Sequence, residues 1–128
     1  MKYIFMDIDG TLFDHRTYSV PESAYLATKA AAAAGHKLFI CTGRSCCMLD
    51  QVEQVPHIGV VAAAGAYVEV DKKVLFEETI AHEELAALLG CCEELGISYI
   101  LEGNHGIYMH EGIRAYFHSE EAKKQGKG

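Results

Sequence analysis

Residues 3–12 read Tyr3-Ile4-Phe5-Met6-Asp7-Ile8-Asp9-Gly10-Thr11-Leu12, an apolar run that ends in two acidic residues and a glycine. The run before the acids has no polar interruption, which predicts a short buried β-strand. Ionised carboxylates at the end of a buried strand are costly unless a cation compensates them. Magnesium suits this role because it takes oxygen ligands and needs few of them from the protein. The segment therefore predicts a Mg²⁺ site.

The spacing of the two acids predicts different roles for them. Side chains alternate along a strand, so Asp7 and Asp9 are expected to point the same way, with Ile8 turned into the core. Asp7 is then a candidate nucleophile that forms an aspartyl-phosphate. Asp9 is a candidate general acid and base. The plain alternative is an Asp-rich turn that only ends a strand, and the apolar run before it favours the catalytic interpretation.

The first part of the chain alternates predicted strands and helices. Strands are predicted over residues 3–6, 37–41 and 58–62, and helices over residues 24–34 and about 44–53. This alternation is typical of a parallel sheet with right-handed crossovers. The predicted fold class is therefore α/β.

A second candidate binding segment follows the second predicted strand. Thr42 and Gly43 come directly after residues 37–41 and before the helix predicted from Arg44. Parallel sheets bind ligands at the carboxyl ends of their strands, and a helix N-terminus favours anions. The Thr42 hydroxyl and the Gly43 amide are therefore expected to bind phosphate, the alternative being a plain N-cap and turn. For Arg44, a phosphate contact and a solvated helix position both stay open.

The pattern changes after Gly65. Residues 66–70 and 74–77 predict a hairpin, residues 81–95 an amphipathic helix, and residues 97–101 and 107–110 a second hairpin. The tail from Ser119 is expected to be a frayed helix or disordered. We divide the chain into residues 1–79 and 80–128, the alternative being that the second part extends a single domain.

Composition narrows the class of protein. A chain of 128 residues has the size of one ordinary domain, and a net charge of −7 argues against a nucleic-acid surface. The longest apolar stretches, such as residues 60–64, are too short to span a bilayer. The predicted catalytic strand at the start leaves no room for a signal peptide, and the five cysteines fit reduced thiols. We therefore expect a cytoplasmic protein with no nucleic-acid or membrane partner.

Two segments carry a resemblance to a known family. Residues 6–12 resemble the first motif of the haloacid dehalogenase-like hydrolases, and residues 38–45 resemble the second motif, a hydrophobic strand ending in Thr or Ser. The Thr-Gly-Arg form of residues 42–44, with Gly65-Ala66 after the third apolar run, is similar to the Cof-type (subfamily IIB) branch. That branch has Asn where this chain has Ala64.

The resemblance implies a Mg²⁺-dependent phosphomonoester hydrolase that acts on a small phosphorylated metabolite. Asp7 would be the nucleophile, and Asp9 would be the general acid and base, with both holding the metal. Thr42 would bind the transferring phosphoryl group, assisted by the Gly43 amide. The implied fold is a partial Rossmann-like three-layer parallel sheet over residues 1–79, followed by part of an α/β cap over residues 80–128.

The same family carries two further motifs beyond the cap, a lysine and an acidic pair of the form Gly-Asp-x-x-Asn-Asp. This sequence contains neither. Three interpretations stay open. The chain is a fragment of a full phosphatase, or a half-enzyme completed by self-association or a second chain, or a non-catalytic binding or regulatory module. As an account of ancestry we favour the first.

Overall fold

The computed structural model describes residues 1–124, with side chains through residue 120. The chain divides into two compact units, Met1–Thr79 and Ile80–Gly128. That the first is a partial family core and the second part of a cap stays a prediction. The two units are described separately below.

The first unit contains five strands and one α-helix. Their bounds are β1 Tyr3–Met6, α1 Glu22–Ala33, β2 Lys37–Cys41, β3 Gly59–Ala62, β4 Tyr67–Val70 and β5 Lys73–Glu77. The helix ends where Gly35 takes a positive φ of 84°, a conformation that costs glycine little. The three strands, the helix over residues 24–34 and the hairpin expected from the sequence are confirmed in this unit.

The five strands form one sheet in the order β1-β2-β3-β4-β5. β1, β2 and β3 run parallel, with Phe5 beside Phe39 and Ile40 beside Val60. β4 and β5 continue the sheet as an antiparallel hairpin. The α/β class is confirmed, and the sheet is mixed rather than wholly parallel.

The core of the first unit lies against one face of the sheet. Its buried residues are Ile8, Leu12, Phe13, Ile40, Val52, Val55, Val60 and Ala62. Strand residues of this set come from β2 and β3, and the others come from the loops that follow β1 and β2. The expected burial of β1 is wrong for alternate residues, since Tyr3 is 63% and Phe5 59% exposed. β1 is also an edge strand among the described residues, since it pairs only with β2.

The helix predicted over residues 44–53 is wrong. Two short 3₁₀ turns, Cys46–Met48 and Asp50–Val52, take its place. The Met48 carbonyl accepts a hydrogen bond from the Arg44 side chain, so it is engaged outside any helical ladder. The local bonds skip only three residues, as in Met48 N–H to the Ser45 carbonyl. Thr42 and Gly43 therefore do not precede an α-helix.

The second unit contains α2 His82–Leu95, the hairpin strands β6 Ile100–Glu102 and β7 Ile107–Met109, and α3 Glu111–Lys124. α2 and the hairpin are confirmed, whereas α3 was not predicted before residue 119. The expected frayed tail is helical from Ser119 to Lys124, and residues 125–128 lie outside the described part. Within residues 1–124, none of the helices has both the length and the apolar character needed to cross a bilayer.

Candidate active site

The loop after β1 is folded so that its acids face outward and its apolar residues face the core. The Ile8 carbonyl accepts hydrogen bonds from the amides of Thr11, Leu12 and Phe13 at 3.1, 3.0 and 2.8 Å. Gly10 has a φ of 79°, which glycine adopts without steric cost. Ile8 is fully buried, whereas Asp7 and Asp9 on either side of it are exposed. The loop therefore presents two carboxylates at the end of a strand.

Asp7 is the first residue after β1. One of its oxygens, Oδ1, accepts a hydrogen bond from the Ile8 amide at 2.8 Å. Its backbone carbonyl accepts a bond from the Leu12 amide at 3.3 Å. The carboxylate is thus held by its own loop through one oxygen, and the residue is exposed.

Asp9 is held by two basic side chains. Arg44 Nε donates to Asp9 Oδ2 at 2.9 Å, and Arg44 Nη2 donates to Asp9 Oδ1 at 2.6 Å. His15 Nε2 lies 2.8 Å from the same Oδ1. A bidentate guanidinium–carboxylate pair is among the stronger hydrogen-bonded arrangements in proteins. Both carboxylate oxygens of Asp9 are therefore engaged.

Arg44 is itself fixed from several sides. Its Nη1 donates to Gln51 Oε1 at 2.7 Å and to the Met48 carbonyl at 3.2 Å. Its guanidinium carbon lies 5.3 Å from the centre of the Phe13 ring, within cation–π range. The Arg44 side chain is only 16% exposed. The 3₁₀ turns that replace the expected helix supply two of these anchors, Met48 and Gln51, and the loop after β1 supplies Phe13.

The ion pair changes the acidity of both partners. Hydrogen bonds from the Arg44 guanidinium are the main cause that lowers the pKa of Asp9 below its ordinary value of 3.8, and His15 adds to the effect. The same contact raises the pKa of Arg44. Asp9 is accordingly a carboxylate at neutral pH.

Thr42 and Gly43 lie at the carboxyl end of β2, beside the end of β1. Thr42 is buried, and its Oγ1 accepts a hydrogen bond from the Arg44 amide at 3.0 Å. A hydroxyl that accepts one bond keeps its own proton to donate. Within residues 1–124 the Gly43 amide donates no hydrogen bond, and Gly43 is exposed.

The loop after β3 supports this segment. Ala63 N–H donates to the Arg44 carbonyl at 2.7 Å, and Ala64 N–H donates to the Thr42 carbonyl at 3.2 Å. Ala63 and Ala64 have φ values of 50° and 53°, a left-handed conformation that is unfavourable for alanine. The loop therefore accepts backbone strain while it holds Thr42 and Arg44 in place.

The oxygen atoms at the end of β1 fit a magnesium ion that keeps several of its waters. Over the described residues, no hydrogen bond reaches Asp7 Oδ2 or the Asp9 carbonyl oxygen. These two atoms are hard oxygen donors, and magnesium commonly takes only one or two such ligands from protein. No group of three or more His, Cys, Asp or Glu side chains suited to a metal occurs in the part of the chain that the structure describes.

The structure joins Asp9 to the segment of Thr42 through Arg44, whose role the sequence left open. The solvated helix position is wrong for Arg44, because its side chain is 16% exposed and pairs with Asp9, whereas the phosphate contact stays a prediction. His15 was not singled out either, and it lies six residues from its partner. The one sequence signal for Arg44 was the Thr-Gly-Arg form itself. Its contact with Asp9 spans 35 residues and has no local signature.

Comparison with known proteins places the chain in a family. A profile of the haloacid dehalogenase-like hydrolases matches residues 4–127, nearly the whole chain. The chain belongs to this family. The expected resemblance is thus confirmed, and its Cof-type character agrees with a structural neighbour of subclass IIB.

Several relatives show how much of a longer protein the chain corresponds to. The subclass IIB sugar phosphatase BT4131 is 32% identical, with a TM-score of 0.77, over 93% of this chain and 48% of that one. BT1666 of Bacteroides thetaiotaomicron, a member of the family's phosphatases, is 30% identical with a TM-score of 0.74, over 84% and 40%. YkrA of Bacillus subtilis (strain 168) is named as a candidate phosphatase. It is 29% identical over 94 residues, which are 73% of this chain and 36% of the length of YkrA. The chain spans less than half the length of each.

Proposed function

We propose that this chain is the part of a Mg²⁺-dependent phosphomonoester hydrolase that carries the nucleophile, Asp7. The observation that carries the proposal is the pair of exposed acids at the end of β1, beside Thr42 at the end of β2. The names of BT4131 and BT1666 support phosphatase chemistry. The sugar phosphatase activity named for BT4131 supports a small phosphorylated metabolite as substrate.

In the proposed reaction Asp7 attacks the phosphorus of the substrate. As the Asp7 oxygen–phosphorus bond forms, the bond from phosphorus to the leaving oxygen breaks, and Asp9 donates the proton that this oxygen takes. Water then attacks the phosphorus of the aspartyl-phosphate and gives a proton to Asp9. The bond from phosphorus to the Asp7 oxygen breaks, so inorganic phosphate leaves and Asp7 is a carboxylate again. Thr42 and the Gly43 amide hold the phosphoryl oxygens. The Asp7 carboxylate and the Asp9 carbonyl would hold a magnesium ion, and the chemistry it would supply there is positive charge against the phosphoryl group.

Arg44 sets a condition on this scheme. Its two hydrogen bonds hold Asp9 as a carboxylate, whereas protonation of the leaving oxygen needs the acid form. Asp9 must therefore leave Arg44, at least in part, before it acts as general acid. A phosphate dianion near Arg44 is a natural competitor for the guanidinium, because guanidinium binds phosphate in the same bidentate manner.

A second candidate function is a non-catalytic binding module. One observation favours it, namely that both carboxylate oxygens of Asp9 are already engaged by Arg44 and His15. Such a module would bind phosphate or Mg²⁺ without turnover.

The location of the protein in the cytoplasm is a prediction from the sequence.

The test is hydrolysis of p-nitrophenyl phosphate in the presence of magnesium. The chain matches 48% of BT4131, and we call the remaining part of BT4131 the complementary segment. We would assay the chain alone and a fused protein in which the chain is joined to this segment. We expect the fused protein to be at least about 100-fold faster, because positioned charges contribute that much to such reactions. Asp7→Asn in the fused protein should reduce the rate by at least about 100-fold.

The matched control is Asp71→Asn. Asp71 is an exposed acid in the β4–β5 turn, and its φ of 49° is one that Asn tolerates well. It should leave the rate within twofold of the unsubstituted protein. Equal rates for Asp7→Asn and the control would rule out Asp7 as nucleophile. A fused protein that binds phosphate without turnover would favour the binding module.

A further inference from the structure

Three aromatic rings lie together in the loop after β1. Phe13 is buried, and the His15 ring stands nearly perpendicular to the Phe13 ring, at 82° with centroids 5.0 Å apart. The Tyr18 ring is also nearly perpendicular to the Phe13 ring, at 78° and 6.4 Å. His15 Nε2 lies 2.8 Å from Asp9 Oδ1. The buried Phe13 ring therefore supports two further rings, one of which contacts the proposed general acid.

These two outer rings are exposed. The His15 side chain is 58% exposed, and Tyr18 is 71% exposed. The planes of the two rings meet at 80°, with centroids 6.4 Å apart, so the rings form a corner. We call His15 and Tyr18 the ring corner. Exposed aromatic faces gain free energy when a ligand covers them, because burial removes apolar surface from water.

The backbone holds Tyr18 in an unfavourable conformation. Its φ of 52° is left-handed, which is rare for a bulky side chain. The loop around it is closed by Asp14 and Ser19, whose amides donate to each other's carbonyls at 2.9 and 3.4 Å. Thr17 Oγ1 lies 3.0 Å from Ser19 Oγ and adds a further contact. Strain that the surrounding bonds maintain in this way is frequent at functional sites.

The position of Asp9 decides which part of the substrate lies near the ring corner. A general acid acts within hydrogen-bond reach of the oxygen that it protonates. When Asp9 Oδ1 donates this proton, the leaving oxygen lies within about 6 Å of His15 Nε2. The group attached to the leaving oxygen is therefore within reach of the His15 ring.

We propose that His15 and Tyr18 determine substrate specificity by binding the leaving group of the substrate, and that this leaving group carries a flat aromatic or heteroaromatic ring. The inference rests on the proposed function, because it takes Asp9 as the acid that protonates the leaving oxygen. The Phe13 ring and the closed loop hold the two rings in place before the substrate binds.

The shape of the ring corner favours an aromatic ring over a sugar ring. Aromatic rings prefer offset-stacked or edge-to-face contacts. A flat ring that stacks on one ring of the corner presents its edge to the other, since the two planes meet at 80°. A sugar carries hydroxyl groups on its rim, and these would lie against the second ring without a hydrogen-bond partner from it, which is unfavourable.

Phosphonates test this contact without turnover, because a carbon atom replaces the leaving oxygen. We would titrate the chain, in the presence of Mg²⁺, with benzylphosphonate, cyclohexylmethylphosphonate and methylphosphonate and measure each Kd by ³¹P NMR. The first carries a flat ring, the second a ring of similar size that is not flat, and the third no ring. We expect benzylphosphonate to bind at least about fivefold more tightly than methylphosphonate and at least about twofold more tightly than cyclohexylmethylphosphonate.

Four substitutions separate the rings from the hydrogen bond to Asp9. His15→Gln keeps a donor and removes the ring, and Tyr18→Ala removes the other ring. Each should reduce the preference for benzylphosphonate over methylphosphonate by at least about threefold. His15→Phe keeps a ring without the hydrogen bond and should keep the preference within twofold. Tyr3→Ala is the matched control, since Tyr3 is an exposed aromatic residue at the opposite end of β1 from Asp7, and it should also keep the preference within twofold.

The results separate this proposal from the proposed function. Equal binding of benzylphosphonate and methylphosphonate, or no binding of either, would overturn the proposal, and so would a preference that His15→Gln and Tyr18→Ala leave unchanged. Equal binding of benzylphosphonate and cyclohexylmethylphosphonate would overturn the aromatic class. Hydrolysis by the fused protein without a preference for the benzyl group would overturn this proposal alone. A preference that depends on both rings, in a fused protein without hydrolysis, would support the ring contact and overturn the proposed function.

Discussion

Arg44 connects the segment of Thr42 to the acidic loop after β1. Its backbone amide bonds to the Thr42 hydroxyl, and its side chain bonds to both carboxylate oxygens of Asp9. One residue therefore fixes the positions of two groups with proposed chemical roles. Its anchors, Gln51 and Phe13, come from opposite sides in the sequence. This convergence is a property of the fold rather than of any local motif.

Removal of the Arg44 charge should raise the pKa of Asp9 toward its ordinary value. Arg44→Met eliminates the main cause of the lowered pKa, so the pKa of Asp9 should rise toward 3.8. A carboxyl with a lowered pKa stabilises the fold above its ordinary pKa, and this contribution is lost as the pH falls through the lowered value. Stability should therefore fall less between pH 5 and pH 2 in Arg44→Met, which urea unfolding measures at about those pH values.

Arg16→Met is the matched control for this measurement. Arg16 pairs with Asp14 and contributes nothing to the acidity of Asp9. Carboxyl ¹³C shifts followed by NMR report the pKa of Asp9 directly. An unchanged Asp9 titration in Arg44→Met would contradict the bidentate pair.

A substitution at Ala64 should stabilise the protein. Ala64 is exposed and has a φ of 53°, which costs alanine about 1 kcal/mol relative to a residue suited to that conformation. Asn, which the Cof-type branch has at this position, tolerates it well. Ala64→Asn should raise the free energy of unfolding by about 0.5–1 kcal/mol, whereas Ala66→Asn, at a φ of −73°, should not. Loss of stability in Ala64→Asn would contradict the left-handed backbone.

At the scale of elements, β2 and β3 pack closely because Gly59 has no side chain. An added Cβ would lie 2.7 Å from the Glu69 carbonyl oxygen and 2.8 Å from the Phe39 ring. Gly59→Ala should therefore reduce the free energy of unfolding by about 1–3 kcal/mol. Gly90→Ala is the contrasting control, because it lies within α2 with open space around it and should increase helix stability by up to about 1 kcal/mol. Chemical denaturation followed by circular dichroism measures both, and equal signs would contradict this packing.

The elements also show where prediction from the sequence stops. The periodicity of apolar residues and the apolar runs were sufficient to predict α1, the three parallel strands and the β4–β5 hairpin. Each of these elements depends on the local pattern of the sequence. The helix predicted over residues 44–53 is absent, and Arg44 within this segment pairs with Asp9, a contact over 35 residues that no local pattern contains. β1 was predicted correctly as a strand, but the burial expected of its residues is wrong for Tyr3 and Phe5. In the site, the predicted topology placed Asp7 and Thr42 at neighbouring strand ends. It did not predict that Arg44 and His15 bind the Asp9 carboxylate.

At the scale of the whole molecule, apolar surface is left open in both units. In the first unit it includes Tyr3 and Phe5 of β1, which are 63% and 59% exposed. In the second unit none of the described side chains is fully buried, and large apolar residues such as Leu95 and Tyr108 are 72% and 54% exposed. Each unit therefore exposes apolar side chains. The relatives are longer and have more polypeptide with which to cover such surface. This agrees with a chain that matches less than half of BT4131.

The central claim is that the Asp7 carboxylate accepts the phosphoryl group. Beryllium fluoride mimics a phosphoryl group bound to a carboxylate, so ¹⁹F NMR of the fused protein with Mg²⁺ and beryllium fluoride tests the claim without turnover. We predict a bound ¹⁹F signal that is abolished in Asp7→Asn and retained in Asp71→Asn. A bound signal that persists in Asp7→Asn would contradict the account.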